Sequence, residues 1–77
     1  MPTVLRIGSY RMSFYSADGA EPPHIHVERD AAEAKYWLAP VISAGSRRFG
    51  ARELRTIERL VVEHEESLLE AWNDYFD

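Results

Sequence analysis

The chain predicts an α+β fold: a small antiparallel sheet of about four strands, followed by one long C-terminal helix packed on one face. Three observations point there. Apolar residues alternate with a period of two through the first half of the chain, the pattern of strands with one buried face. Turn-forming residues punctuate that alternation at Gly8-Ser9, Asp30-Ala31-Ala32 and Ala39-Pro40. From about Gly50 the period lengthens to three and four, and Leu54, Ile57, Val61, His64, Leu68, Trp72 and Tyr75 form one stripe. With 77 residues and no repeat, low-complexity tract or linker, a single domain over 1–77 is expected, with the sheet region at 1–45 and the helix at 50–76.

Val4-Leu5-Arg6-Ile7 reads as the first strand, and the two residues Gly8-Ser9 predict a tight hairpin into a second strand over 10–15. Residues 16–21 have loop chemistry. Pro22-Pro23 then delivers the chain extended into His24, because each ring fixes φ and steers the preceding residue away from helix. Residues 24–29 form the third strand and 33–38 the fourth, while Val41-Ile42-Ser43 is at most a short edge strand. The helix starts at Gly50, with Glu53 at the N3 position of a capping box. A helix of about 25 residues spans about 37 Å at 1.5 Å per residue. That exceeds the width of such a sheet, so the helix either breaks near Glu65-Glu66 or overhangs.

Composition narrows the class. A hydrophobic share of 45% marks a folding globule rather than a disordered tail, although a domain of this size hides only about 60% of the surface its unfolded chain exposes. The absence of cysteine excludes a disulfide framework and a thiolate zinc site. The N-terminus has no basic segment followed by an apolar run, and no stretch approaches the ~20 apolar residues of a membrane span. A cytoplasmic protein without membrane contact is therefore expected. The net charge of −4 argues against loose nucleic-acid binding. Charge is nonetheless divided, with six basic and five acidic residues in 1–50 but three and eight in 51–77.

Strand alternation sorts the side chains into two faces. Leu5, Ile7, Tyr10, Met12, Phe14, Ile25, Val27, Ala34, Tyr36 and Leu38 share the face the helix covers. Arg6, Arg11, Ser13, Tyr15, His24, His26, Glu28, Lys35 and Trp37 share the other. A solvated face is polar in any case, which accounts for Arg6, Ser13 and Lys35. Two histidines beside Tyr15 and Trp37 exceed that and mark a binding or reaction surface.

His24-x-His26-x-Glu28 admits three readings. Residues two apart on a strand project in parallel about 6.6 Å apart, so two imidazoles can converge on one ion or phosphate. A metal would need a third ligand, from Glu28 or the distant His64. Cupins, however, place a Glu three or four residues after the second histidine, and histidine-triad hydrolases use H-x-H-x-H. The arginines and aromatics on the same face favour an anionic or nucleotide ligand, so no metal or other cofactor is expected. In the second reading His24 and His26 act as catalytic acid and base, Arg6, Arg11 or Arg29 holds a phosphate, Glu28 lines the site, and Tyr15 or Trp37 stacks a base. In the third, the histidines are structural or lie in a protein interface.

The helix carries its charge in reverse. Arg47, Arg48, Arg52, Arg55 and Arg59 precede and fill its first half, and Glu63, Glu65, Glu66, Glu70, Asp74 and Asp77 fill the second, against the preference of the helix dipole. A basic start is suited to an anion and an acidic end to a basic partner. The bland alternative is a solvated helix with weak intrahelical pairs such as Arg59 with Glu63. His64, within the apolar stripe, reads as a half-buried structural histidine.

Pro2-Thr3-Val4, Phe14-Tyr15-Ser16, Glu21-Pro22-Pro23-His24-Ile25-His26-Val27, Ala34-Lys35-Tyr36-Trp37-Leu38, Arg52-Glu53-Leu54 and the closing Glu70-Ala71-Trp72 through Phe76 resemble a widespread family of small bacterial proteins known only as a domain of unknown function. The resemblance covers nearly the whole chain. It implies gene pairs, because members are frequently encoded beside a second small protein and are suspected to form toxin–antitoxin-like modules. It brings no established reaction. The first expectation is thus a component of a two-protein module that binds or cleaves RNA or a nucleotide through the His24/His26 face. The alternative is a non-catalytic module that docks a partner, or a second copy through the C-terminal helix.

Overall fold

The computed structural model describes residues 3–76, so expectations resting on Pro2 and Asp77 lie outside the described residues. Five strands, β1 (Thr3–Ile7), β2 (Tyr10–Ser13), β3 (His24–Arg29), β4 (Ala32–Trp37) and β5 (Ile42–Arg47), form one sheet in simple sequence order. Every neighbouring pair is antiparallel. A single 3₁₀ turn spans Ser16–Ala20, and two helices follow the sheet, α1 (Ala51–Glu63) and α2 (Glu65–Phe76).

The hairpin between β1 and β2 turns at Gly8, whose φ of 57° is open to glycine at no steric cost. Asp30, at φ 54°, turns β3 into β4, a conformation its short polar side chain tolerates. The α+β class holds, with two corrections to the expected layout. The sheet has five strands rather than four, because the weak edge segment extends to Arg47. Its register slips opposite Lys35 and Tyr36, which face Gly45 and Ser43, so Ala44 is the extra residue of a bulge and Gly45 takes the φ of 134° that goes with it.

The second correction concerns the helix, which is two helices broken at His64. The His64 backbone N–H donates to Leu60 and Val61 carbonyls at 3.1 and 3.2 Å, closing α1, while its own carbonyl accepts the Leu68 N–H at 2.9 Å and opens α2. Its ring Nδ1 also lies 2.9 Å from the Leu60 carbonyl. The break changes the meaning of the acidic block. Glu65 and Glu66 stand in the first turn of α2, where free N–H groups favour negative charge. Glu65 in addition accepts the Ala39 N–H at 3.0 Å. The arginines at the start of α1 keep their reversed placement.

The core lies between the sheet and the helices. Met12, Phe14, Ile25, Val27, Ala34, Tyr36 and Leu38 meet Phe49, Ile57, Val61, Leu68 and Trp72, all buried. Leu5, Ile7 and Tyr10, assigned to this face, are half-buried against the cluster. Gly50 caps α1 without a side-chain bond. Instead of closing a capping box, Glu53 accepts the Tyr10 hydroxyl at 2.6 Å and Arg29 Nε and Nη2 at 3.0 and 2.7 Å. Arg29, a candidate phosphate ligand, therefore faces the helix side and is occupied there. Among the described residues no helix is long and apolar enough to cross a membrane.

Candidate functional site

Cross-strand register arranges the open face in three rows. Arg6, Arg11, Glu28, Glu33 and Arg47 are successive partners across all five strands. Ser13, His26, Lys35 and Gly45 form the next row, and His24, Trp37 and Ile42 the third. The residues read from the sequence onto one face thus do share it. Most of its charges answer one another: Arg11 holds Glu28 at 2.8 Å, Arg47 holds Glu33 at 3.3 Å and Lys35 holds Glu21 at 3.0 Å. Lys35 also lies over the Trp37 ring, 4.5 Å from its centre.

The 3₁₀ turn brings Asp18 over this face, at the end where β3 begins. Asp18 Oδ2 accepts the Tyr15 N–H at 2.8 Å, and it lies 3.0 Å from His24 Nε2 and 3.2 Å from His26 Nε2. Burial opposes ionisation of Asp18, but the Tyr15 N–H and the two imidazoles outweigh it and hold the carboxyl below its ordinary value. The Tyr15 ring packs against His26 at 4.7 Å. Burial, followed by the nearby Glu28, Glu33 and Asp18 carboxylates, raises the Tyr15 hydroxyl above its usual range.

His24 is enclosed. Its ring touches those of Trp37, His26 and Trp72, with centroids 5.5, 5.2 and 5.0 Å away, and its side chain has 0% exposure. Nδ1 faces the Pro22 carbonyl at 2.9 Å. Trp72 comes from α2, whose end is seated by Phe76 against Gly19, a position where even a Cβ would come within 2.7 Å of the Phe76 ring. His26 keeps 12% side-chain exposure and lies between two carboxylates, with Nδ1 3.2 Å from Glu33 Oε2.

Two open clefts lie in this part of the molecule, and only the first is lined by a histidine. One, of about 210 Å³, is lined by His26, Glu33, Lys35, Gly45, Ser46 and Arg47. The other, of about 230 Å³, is lined by Arg6, Ser9, Arg11, Glu28, Arg29 and Asp30. Of the residues assigned to the site from the sequence, His24, His26, Tyr15 and Trp37 gather at one end. Arg6, Arg11 and Glu28 stand in the outer row. Neither carboxylate nor imidazole weighed as a third metal ligand joins the histidine pair, since Glu28 is held by Arg11 and His64 sits at the helix break. The sequence reading missed Asp18, Glu33, Arg47 and Trp72. Glu33 follows from the alternation that places Lys35 and Trp37 on this face. Asp18 sits in a segment read as loop, and its aim depends on the turn.

These features define a small meander sheet backed by a broken helix, with a His/Asp cluster at one end of the open face. A family model described as Domain of unknown function (DUF4160) matches residues 9–73, and the chain belongs to that family. No curated protein and no solved structure matches it.

Proposed function

We propose that the chain is a non-catalytic, partner-binding member of a two-protein bacterial module, and that it receives an extended segment of its partner along the free edge of β5. The observation that carries this reading is the exposure of all six residues of β5 at the end of the sheet. A strand packed on neither face adds little to the core, and its outer row of backbone groups is a template for another strand. Ile42, 54% exposed, offers an apolar anchor. The bulge at Ala44 interrupts the flat edge that a second copy would need, which favours a different chain as the occupant.

Two further features agree. A phosphate on the open face would have to compete with carboxylates already within 2.8–3.3 Å of Arg11, Lys35 and Arg47. His24 is closed off by Trp37 and Trp72, which leaves His26 without a second exposed imidazole for acid–base work. The likeness to proteins encoded in pairs supplies the expected partner, the small protein encoded alongside. Co-expression of the two with an affinity tag on this chain tests the reading. Ile42→Glu combined with Ser46→Glu is expected to cut retention of the partner by about tenfold or more while leaving the circular dichroism spectrum unchanged. Undiminished retention overturns it.

One observation favours RNA or nucleotide binding as a second reading: His26, Lys35 and Arg47 line the same cleft. Turnover of single-stranded RNA by the purified chain, lost in His26→Ala and kept in the edge variant, would establish that reading instead.

A further inference from the structure

The corner that closes over His24 has a use apart from partner binding. We propose that Asp18, His24 and His26 form a site for a divalent transition-metal cation of the zinc type, with Asp18 Oδ2 and the two histidine Nε2 atoms as protein ligands. All three donor atoms lie within 4.8 Å of one another. Asp18 is 3.0 Å from one nitrogen and 3.2 Å from the other, close to the ~3.3 Å that separates ligands on a tetrahedral zinc with bonds of about 2.0 Å. Two imidazoles and one carboxylate suit a first-row transition cation better than calcium or magnesium, which prefer oxygen alone.

The second observation is the state of His24. Nδ1 faces the Pro22 carbonyl at 2.9 Å and must carry a proton to satisfy it. In the neutral ring Nε2 is then a bare acceptor, fully buried, turned towards a carboxylate that is also an acceptor. The two atoms stand 3.0 Å apart, and His24 Nε2 is among the buried atoms without a hydrogen-bond partner. A cation between them converts the conflict into coordination. The described residues hold three buried side-chain polar atoms without a hydrogen-bond partner, Ser13 Oγ, His24 Nε2 and His26 Nδ1, and all three are at this corner.

Surroundings agree with this assignment. Metal-bound histidines are commonly oriented through the opposite ring nitrogen by a carbonyl or carboxylate. Here the Pro22 carbonyl stands 2.9 Å behind His24, while Glu33 Oε2 lies 3.2 Å from His26 Nδ1 without making a hydrogen bond to it. Glu21 Oε1 is 3.7 Å from His24 Nε2 and is held by Lys35 at 3.0 Å. With ligands from the 3₁₀ turn and from β3, the cation ties residues 16–20 to the sheet in a domain that has no disulfide.

Titration of chelator-treated protein with Zn²⁺ against a chromophoric competitor tests the site on the isolated chain, so its outcome is separate from that of the partner reading. One equivalent is expected to bind. Asp18→Asn and His26→Gln are each expected to weaken binding by at least ~10-fold, while Glu28→Gln and His64→Gln leave it unchanged. Cobalt(II) in place of zinc should give visible d–d absorption that the Asp18→Asn variant loses, a readout independent of affinity. His24→Gln is avoided as a primary test because that ring fills the core. Absence of saturable one-to-one binding by the unaltered chain overturns the proposal, as does binding that survives both Asp18→Asn and His26→Gln.

Discussion

Glu53 joins three elements through one carboxylate, since Tyr10 on β2 and Arg29 on β3 both donate to it from the sheet while it belongs to α1. The Tyr10 hydrogen bond first, then Arg29, holds the carboxyl below its ordinary value. In return, the Tyr10 hydroxyl is raised, chiefly by the bond to Glu53. A depressed carboxyl stabilises the fold above its unfolded pKa of about 4.3 and loses that contribution as pH falls through the folded value. The raised tyrosine works at the other end, contributing below its unfolded pKa of about 10 and losing it as pH rises through the folded one. Glu53→Gln is therefore expected to lower stability at neutral pH and to flatten the fall of the urea midpoint on acidification. An acid limb as steep as that of the unaltered protein would assign the dependence to other carboxylates.

At the scale of elements, the break at His64 places Glu65 where it serves both the start of α2 and the Ala39 N–H. Glu65→Ala is expected to cost about 1 kcal/mol, and Glu66→Ala, which has only the dipole to lose, clearly less. Denaturant midpoints of the two variants check the difference. The full length of β5 was not legible from pattern, and the break followed from helix length only as one of two outcomes, near Glu65-Glu66 rather than at His64. The apolar stripe runs through His64 without a change of phase, so periodicity alone describes one helix. Ile42-Ser43-Ala44-Gly45-Ser46-Arg47 has no alternation because neither of its faces is packed. It is a strand by pairing with β4 alone. The first four strands and their two faces were legible, since alternation and Gly, Asp and Pro punctuation agree there. Alternation also placed His24, His26, Tyr15 and Trp37 together. It did not show that His24 is buried, which depends on Trp72 arriving from a helix 48 residues along the chain.

The molecule measures 35 × 22 × 21 Å. An unbroken helix over 51–76 would exceed its longest dimension, at about 39 Å for 1.5 Å per residue. The break at His64 accompanies the placement of α2 against Phe14 and His24 through Trp72. Trp72→Ala is expected to cost about 3–5 kcal/mol and to open His24 to solvent. Acylation by diethyl pyrocarbonate, mapped by mass spectrometry, should then modify His24 in the variant and spare it in the unaltered chain. Protection of His24 in both would mean that another group closes the corner.

The order of the strands in space is their order in the chain, so each of the four pairings joins near neighbours. Closing such short loops carries a small entropic penalty, and chains dominated by local pairing fold fast. The contact of Trp72 with Phe14 and His24 is the opposite case, a long-range closure. On that ground the contact is expected to form after the folding barrier has been crossed. In stopped-flow experiments the lost stability of Trp72→Ala should therefore appear as faster unfolding with a nearly unchanged refolding rate. With that outcome, the C-terminal helix would act as a latch on the lifetime of the native state, while the hairpins would set how quickly that state is reached.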